Sequence, residues 1–423
     1  MSGKYSGLQA RIKEHSPSAV FIPCANHSLN LIGNFAAKSC SAAVKYFMFV
    51  QKLFTFFSAS THCWKILTSK LEIYKDKQSI SLKRVSDTRW SARADAVLAI
   101  KLGFACIKEA LNEICNAEEE KQVTIVEATS LLKKMDKFET TLLTVFWNTI
   151  LQRINATSKS LQSVECELFK RSILLKSLEH FINNFREEYE KVEKEATDLS
   201  GLSFSVDDEQ TRKRQKRIVF FDENKEVGHE FTIREDFKVN SFYVICDNTK
   251  AQLSQRAQKY EVVLEPFRIF FDWKLSTEER RKALIKLKDM YKNDIDVCTL
   301  EDELDHFLIF LKENEDTIKT TPDNPDILDF SCEIYRAAKE MSCTFPNIEI
   351  LMKIFLTIPL SYASGERSFS VLKRIKNYLR NTMGEEKLNN LAILYIEQDI
   401  LNRIDTAKII DDFARNKSRH KFM

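Results

Sequence analysis

Glycine and proline, the residues that interrupt helices and turn a chain between strands, are scarce here: eight of one and seven of the other among 423 residues. That supply favours long helices over many short strands with turns between them. With 44% of its residues hydrophobic, the chain can bury one large core or two ordinary ones, and its length gives an expectation of two or three domains. The formal net charge of +3 is too small to mark the whole surface as a nucleic-acid binder, so a DNA-facing surface has to come from local clustering. The ten cysteines contain no C-x-x-C pair, which leaves neither a zinc ribbon nor a disulfide framework. Met1 is not followed by the layout of a signal peptide, and no apolar run of about 18 residues offers a membrane span. These features predict a soluble, intracellular, reduced protein.

Along the chain, Ala19-Val20-Phe21-Ile22-Pro23-Cys24 is short and apolar and reads as a buried strand, with a helix starting near Asn26. Tyr46, Val50, Leu53 and Phe57 recur at helical spacing between about 42 and 58. Further helices are predicted at roughly 91–116, 121–153, 158–196, 248–270, 276–291 and 298–314. Between about 198 and 240, Gly201, several serines, Asp207, Asp208 and a basic cluster break the periodicity, which predicts an exposed loop or disordered insertion. A second break falls at Thr320–Asp326. Beyond it, Phe369, Leu372, Ile375 and Leu379 share one helical face. Thr382-Met383-Gly384-Glu385 has capping-box spacing ahead of a stripe formed by Leu388, Leu391, Ala392 and Tyr395. Such a stripe must pack on a core or on another chain.

Three local patterns could carry chemistry. In Ala363-Ser364-Gly365-Glu366-Arg367-Ser368-Phe369-Ser370, Glu366 sits in a helix that otherwise faces the core, where a carboxylate costs free energy unless it is paired, hydrogen-bonded or bound to metal. Cys24-Ala25-Asn26-His27 is half a zinc site at most. In Asp87-Thr88-Arg89-Trp90-Ser91-Ala92-Arg93, an aromatic lies between two arginines: it can be a platform for an unstacked base with phosphate contacts from Arg89 and Arg93, or a core anchor with arginines in solvent. The run Arg212-Lys213-Arg214-Gln215-Lys216-Arg217 is a solvated loop or a nuclear import signal, and we favour nuclear targeting. The acidic patch Glu301-Asp302-Glu303-Leu304-Asp305 reads as a solvated first helical turn favoured by the macrodipole.

Together the string around Glu366, the Cys-x-x-His at Cys24 and the Thr-Arg-Trp at Trp90 resemble hAT-family DNA transposases, in the flavour similar to transposase-derived MYM-type zinc-finger proteins. The resemblance implies that Glu366 descends from the last metal-binding residue of a catalytic triad, that His27 is linked to the active site, and that Trp90 stacks on an extruded base. It further implies a C-terminal dimerisation region holding Phe369, Leu372, Leu388, Leu391 and Tyr395. The fold it implies is mainly α, a long helical insertion domain within a truncated RNase H-like α/β domain: residues 1–40 as its remnant, 41–340 as the insertion, 341–402 as the dimerisation region and 403–423 as a tail. Two metals, Mg2+ or Mn2+, need three carboxylates in this chemistry. The resemblance places both Asp residues upstream of Met1, so no intact metal site and no cofactor are expected for this chain. The preferred expectation is therefore a nuclear, non-catalytic protein of transposable-element origin that dimerises with itself or with a full-length relative. The alternatives are a fragment of an hAT transposase and, more weakly, a nuclear DNA-binding module; no membrane partner is expected.

Overall fold

The computed structural model describes residues 7–72, 81–85, 90–118, 120–162, 168–204, 231–272, 275–314, 327–358, 369, 371–376 and 382–415, and these are helical almost throughout, with no strand among them. The chain divides into two compact units, Met1–Leu360 and Ser361–Met423.

In the first unit, α1 (Leu8–His15) buries none of its residues, α2 (Ala25–Ala36) buries Leu29, Ile32 and Ala36, and α3 (Ser41–Ala59) buries a row of aromatics from Tyr46 to Phe57. α4 (Thr61–Glu72), α5 (Trp90–Leu102), α6 (Phe104–Cys115) and α7 (Gln122–Met135) follow. The centre is α8 (Phe138–Gln162), which buries Leu142, Val145, Phe146, Trp147, Ile150, Leu151 and Ile154. A helix apolar on nearly every side has to be enclosed, and α2, α3, α5, α7, α9 (Leu168–Arg186) and α10 (Tyr189–Ser200) surround it. α11 (Ile233–Phe237), a π turn (Lys238–Tyr243) and α12 (Val244–Leu264) then carry the chain along α9 and α2 into a 3-10 turn at Glu265–Phe270. α13 (Thr277–Met290) packs on that turn, and α14 (Leu300–Glu313) and α15 (Ile327–Glu340) both pack on α16 (Pro346–Thr357).

The mainly helical expectation is met, but its α/β part is not. Residues 19–24 form no strand; only Ile22 is buried, while Val20 and Phe21 are largely exposed. Among the described residues no strand is present to pair with this segment, and the Pro23 carbonyl instead accepts a hydrogen bond from the Tyr260 hydroxyl on α12. The remnant of an RNase H-like sheet therefore has no counterpart among the described residues.

Several long helices are pairs. The break at Gly103 lets α4 approach, since a Cβ there would stand 2.9 Å from the Leu71 side chain. Helix returns earlier than 240, because Thr232 and Glu235 form a capping box that opens α11. The basic run Arg212–Arg217 and the break at Thr320–Asp326 lie outside the described residues.

Candidate self-association surface

The second unit contains a helical stretch at 371–375, α17 (Glu385–Ile396), α18 (Gln398–Leu401) and α19 (Thr406–Arg415). α17 starts one residue after Gly384, which is its N-cap, with no side-chain cap bond; the expected Thr382 box does not form. Starting there keeps Gly384 out of the helix interior, where glycine is costly, and puts Glu385 and Glu386 into the first turn, where the macrodipole favours them.

The predicted stripe of Leu388, Leu391 and Ala392 is the half-buried side of α17, and Tyr395 on the same side accepts a 3.0 Å hydrogen bond at its hydroxyl from Arg374. Ile375 is buried, whereas Leu372 is partly exposed and Phe369 is 74% exposed. On its other sides α17 presents Ile393, Leu394 and Ile396, all exposed, so it is apolar on most faces yet buries none of its residues. Ile400 in α18, Ile404 in the link that follows it, and Ile409 and Ile410 in α19 are exposed as well. A stretch expected as a tail thus holds an amphipathic helix. The spacing of Ile409, Ile410 and Phe413 could have revealed it.

Glu366, Arg89 and the basic run lie outside the described residues. His27 is exposed in the first turn of α2. Trp90 is a core anchor in this conformation, 3% exposed. Its indole N–H donates to the Asn30 carbonyl at 2.8 Å, its backbone N–H donates to Asn30 Oδ1 at 3.2 Å, and its ring lies where a side chain on Gly33 would overlap it. Phe47 and Trp147 pack against the ring. Arg93 is buried as well, its guanidinium 4.8 Å from the Phe47 ring centroid. A base could stack on Trp90 only after the indole had left this pocket. Among the described residues no three His, Cys, Asp or Glu side chains converge to hold a metal ion.

The acidic patch needs one correction. Glu301, Asp302 and Glu303 do occupy the first turn of α14, but Glu303 is only 8% exposed. Its carboxylate accepts 2.6 Å and 2.8 Å bonds from Asn347 Nδ2 and the Ile348 N–H, so it caps α16 from a neighbouring helix. Asn347 also bonds Thr299 Oγ1 at 3.1 Å and, through Oδ1, accepts from the Asp296 N–H at 2.8 Å.

Residues 307–400 match the hAT family C-terminal dimerisation region. The match runs from α14 in the first unit to α18 in the second and contains α17. Over 99% of its length the chain is 23% identical to the mouse (Mus musculus) 52 kDa repressor of the inhibitor of the protein kinase, and over 96% it is 22% identical to the human (Homo sapiens) protein of the same name. It covers 54% and 52% of those proteins, so the chain spans about half the length of the curated relatives it matches. No helix among the described residues is long and apolar enough to cross a membrane.

Proposed function

We propose that this chain is a transposase-related protein whose C-terminal unit joins it to a second copy of itself, and that the polypeptide does not cleave DNA on its own. The observation that carries the reading is α17: within the matched dimerisation region, a helix apolar on most sides covers only one of them inside its own unit. Ile393, Leu394 and Ile396 are already about half buried, so a partner that covered the rest would add about 1–2 kcal/mol for each. The match to a dimerisation region supports a second copy as that partner. Both relatives are named for a repressor, which suits a regulatory protein better than a nuclease. The run Arg212–Arg217 would serve nuclear import. Glu366 is read as vestigial.

The test has two arms. Two differently tagged copies co-purify when expressed together, and Leu394→Glu with Ile396→Glu, changed at exposed positions so that the fold of the unit is spared, abolishes the co-purification. In a nicking assay with Mg2+ or Mn2+, the chain leaves supercoiled DNA intact; cleavage lost on Glu366→Ala would make it a working transposase fragment instead.

A further inference from the structure

We infer that the outward face of α3 is a docking surface for an acidic amphipathic helix of another protein. The face belongs to the first unit and does not depend on the self-association reading of the second. The sequence holds no Asp or Glu from His15 to Leu71, although these two residue types make up 61 of the 423 positions. Lysines at 38, 45, 52, 65 and 70 fall within that stretch.

Two of these lysines are brought into register by α3. Ser41, Lys45, Met48, Lys52 and Thr55 recur every three or four residues and form the side of the helix opposite its buried aromatic row. Lys45 is exposed and Lys52 partly so, and a seven-residue spacing sets them about 10.5 Å apart along one line of the helix. Met48 lies between them at 66% exposure, and Val44 borders the same line at 39%. The neighbouring chain adds a third cation. The Val85 N–H donates to Gln51 Oε1 at 3.1 Å, on the border of this face, and Lys83 pairs with Asp95 of α5 at 3.1 Å. Those two contacts hold the segment beside α3 with the exposed Arg84 between them. Among the described residues no carboxylate pairs with Lys45, Lys52 or Arg84.

Charge complementarity therefore calls for carboxylates on the occupant, because the face offers positive charge that nothing nearby neutralises. Met48 and Val44 call for apolar side chains between those carboxylates, and a thioether adapts readily to such a partner. A helix that carries acids two turns apart around an apolar row meets both demands. Its carboxylates reach the ammonium groups while the lysine stems lie along its apolar residues. A nucleic-acid backbone would satisfy the cations but leave Met48 and Val44 in water, which favours the acidic helix.

The experiment is fluorescence anisotropy, with the full chain titrated into a labelled synthetic peptide of about 21 residues, long enough to be helical in water. In that peptide Glu residues two turns apart flank a row of Leu. A scrambled peptide of the same composition and a short labelled DNA duplex are the comparisons. Lys45→Glu with Lys52→Glu should weaken peptide binding at least about tenfold, Met48→Ser should weaken it several-fold, and Lys65→Glu, on α4, should leave it unchanged. Lys45→Gln with Lys52→Gln repeats the charge test more gently, and circular dichroism checks that every variant keeps its helices. If the scrambled peptide binds as well, or Met48→Ser changes nothing, the face attracts charge alone and the inference is overturned. Binding of the duplex in preference to the peptide, lost in Lys45→Glu with Lys52→Glu, makes it a nucleic-acid surface instead. A wild-type chain that does not bind the peptide overturns the inference as well.

Discussion

Trp90 and Gly33 show how a single residue pair holds an aromatic as a core anchor in this conformation. In the sequence, an aromatic between arginines serves equally as a base platform or a core anchor. The anchor becomes visible only when a glycine far back in the chain bares the backbone on which the indole lies. Gly33→Ala should cost about 1–3 kcal/mol, since overpacking forces the ring to move. Gly384→Ala, which meets nothing within 4 Å, should cost well under 1 kcal/mol. Urea unfolding of the two variants checks the contrast. Burial also sets the alkaline limit of stability. It raises the phenols of Tyr46 and Tyr189 and the thiol of Cys246 well above their ordinary values, and takes Tyr291 up to about 12. The folded chain keeps protons that the unfolded chain releases from about pH 9 upward, so the native state binds more of them and its stability falls as pH rises. Urea midpoints should stay level from pH 7 to about 9 with respect to these groups and decline beyond it.

At the scale of elements, the helices were legible wherever sequence chemistry fixed their ends. Ser276 and Glu279 form the capping box that opens α13 within a residue of the expected start, and α3 and α14 likewise lie close to their predicted spans. Periodicity carried across the breaks at Gly103, Asp136–Lys137 and Glu187–Glu188, because apolar spacing persists while the axis turns. The apolar run at 19–24 misled for the opposite reason. Its composition suits a strand, but a strand exists only where a neighbour supplies hydrogen bonds, and no local pattern can report the neighbour. Glu303 was unreadable in the same way, being one of three adjacent acids of which only the third faces Asn347 and the start of α16. Glu303→Ala would leave the Asn347 amide and the Ile348 N–H without these acceptors and should destabilise the chain by about 3 kcal/mol. Glu303→Gln, which keeps one acceptor oxygen, should lose less. Thermal melts rank the two, and hydrogen exchange at 346–349 should rise most in the alanine variant.

For the whole molecule, the helical class followed from scarce glycine and proline, and the self-association proposed above rests on apolar stripes that the C-terminal unit does not cover by itself. The sequence pointed to Phe369, Leu372, Leu388, Leu391 and Tyr395 for it; Ile393, Leu394 and Ile396, which a single-stripe reading leaves out, are exposed on the same helix. A dimer held by these residues should strengthen with salts that favour apolar burial and weaken little when ordinary salt screens charge. The central claim is tested most directly by sedimentation equilibrium of the wild-type chain across a wide concentration range. The account predicts a mass that rises with concentration to twice that of the single chain and no further; a single-chain mass throughout would contradict it.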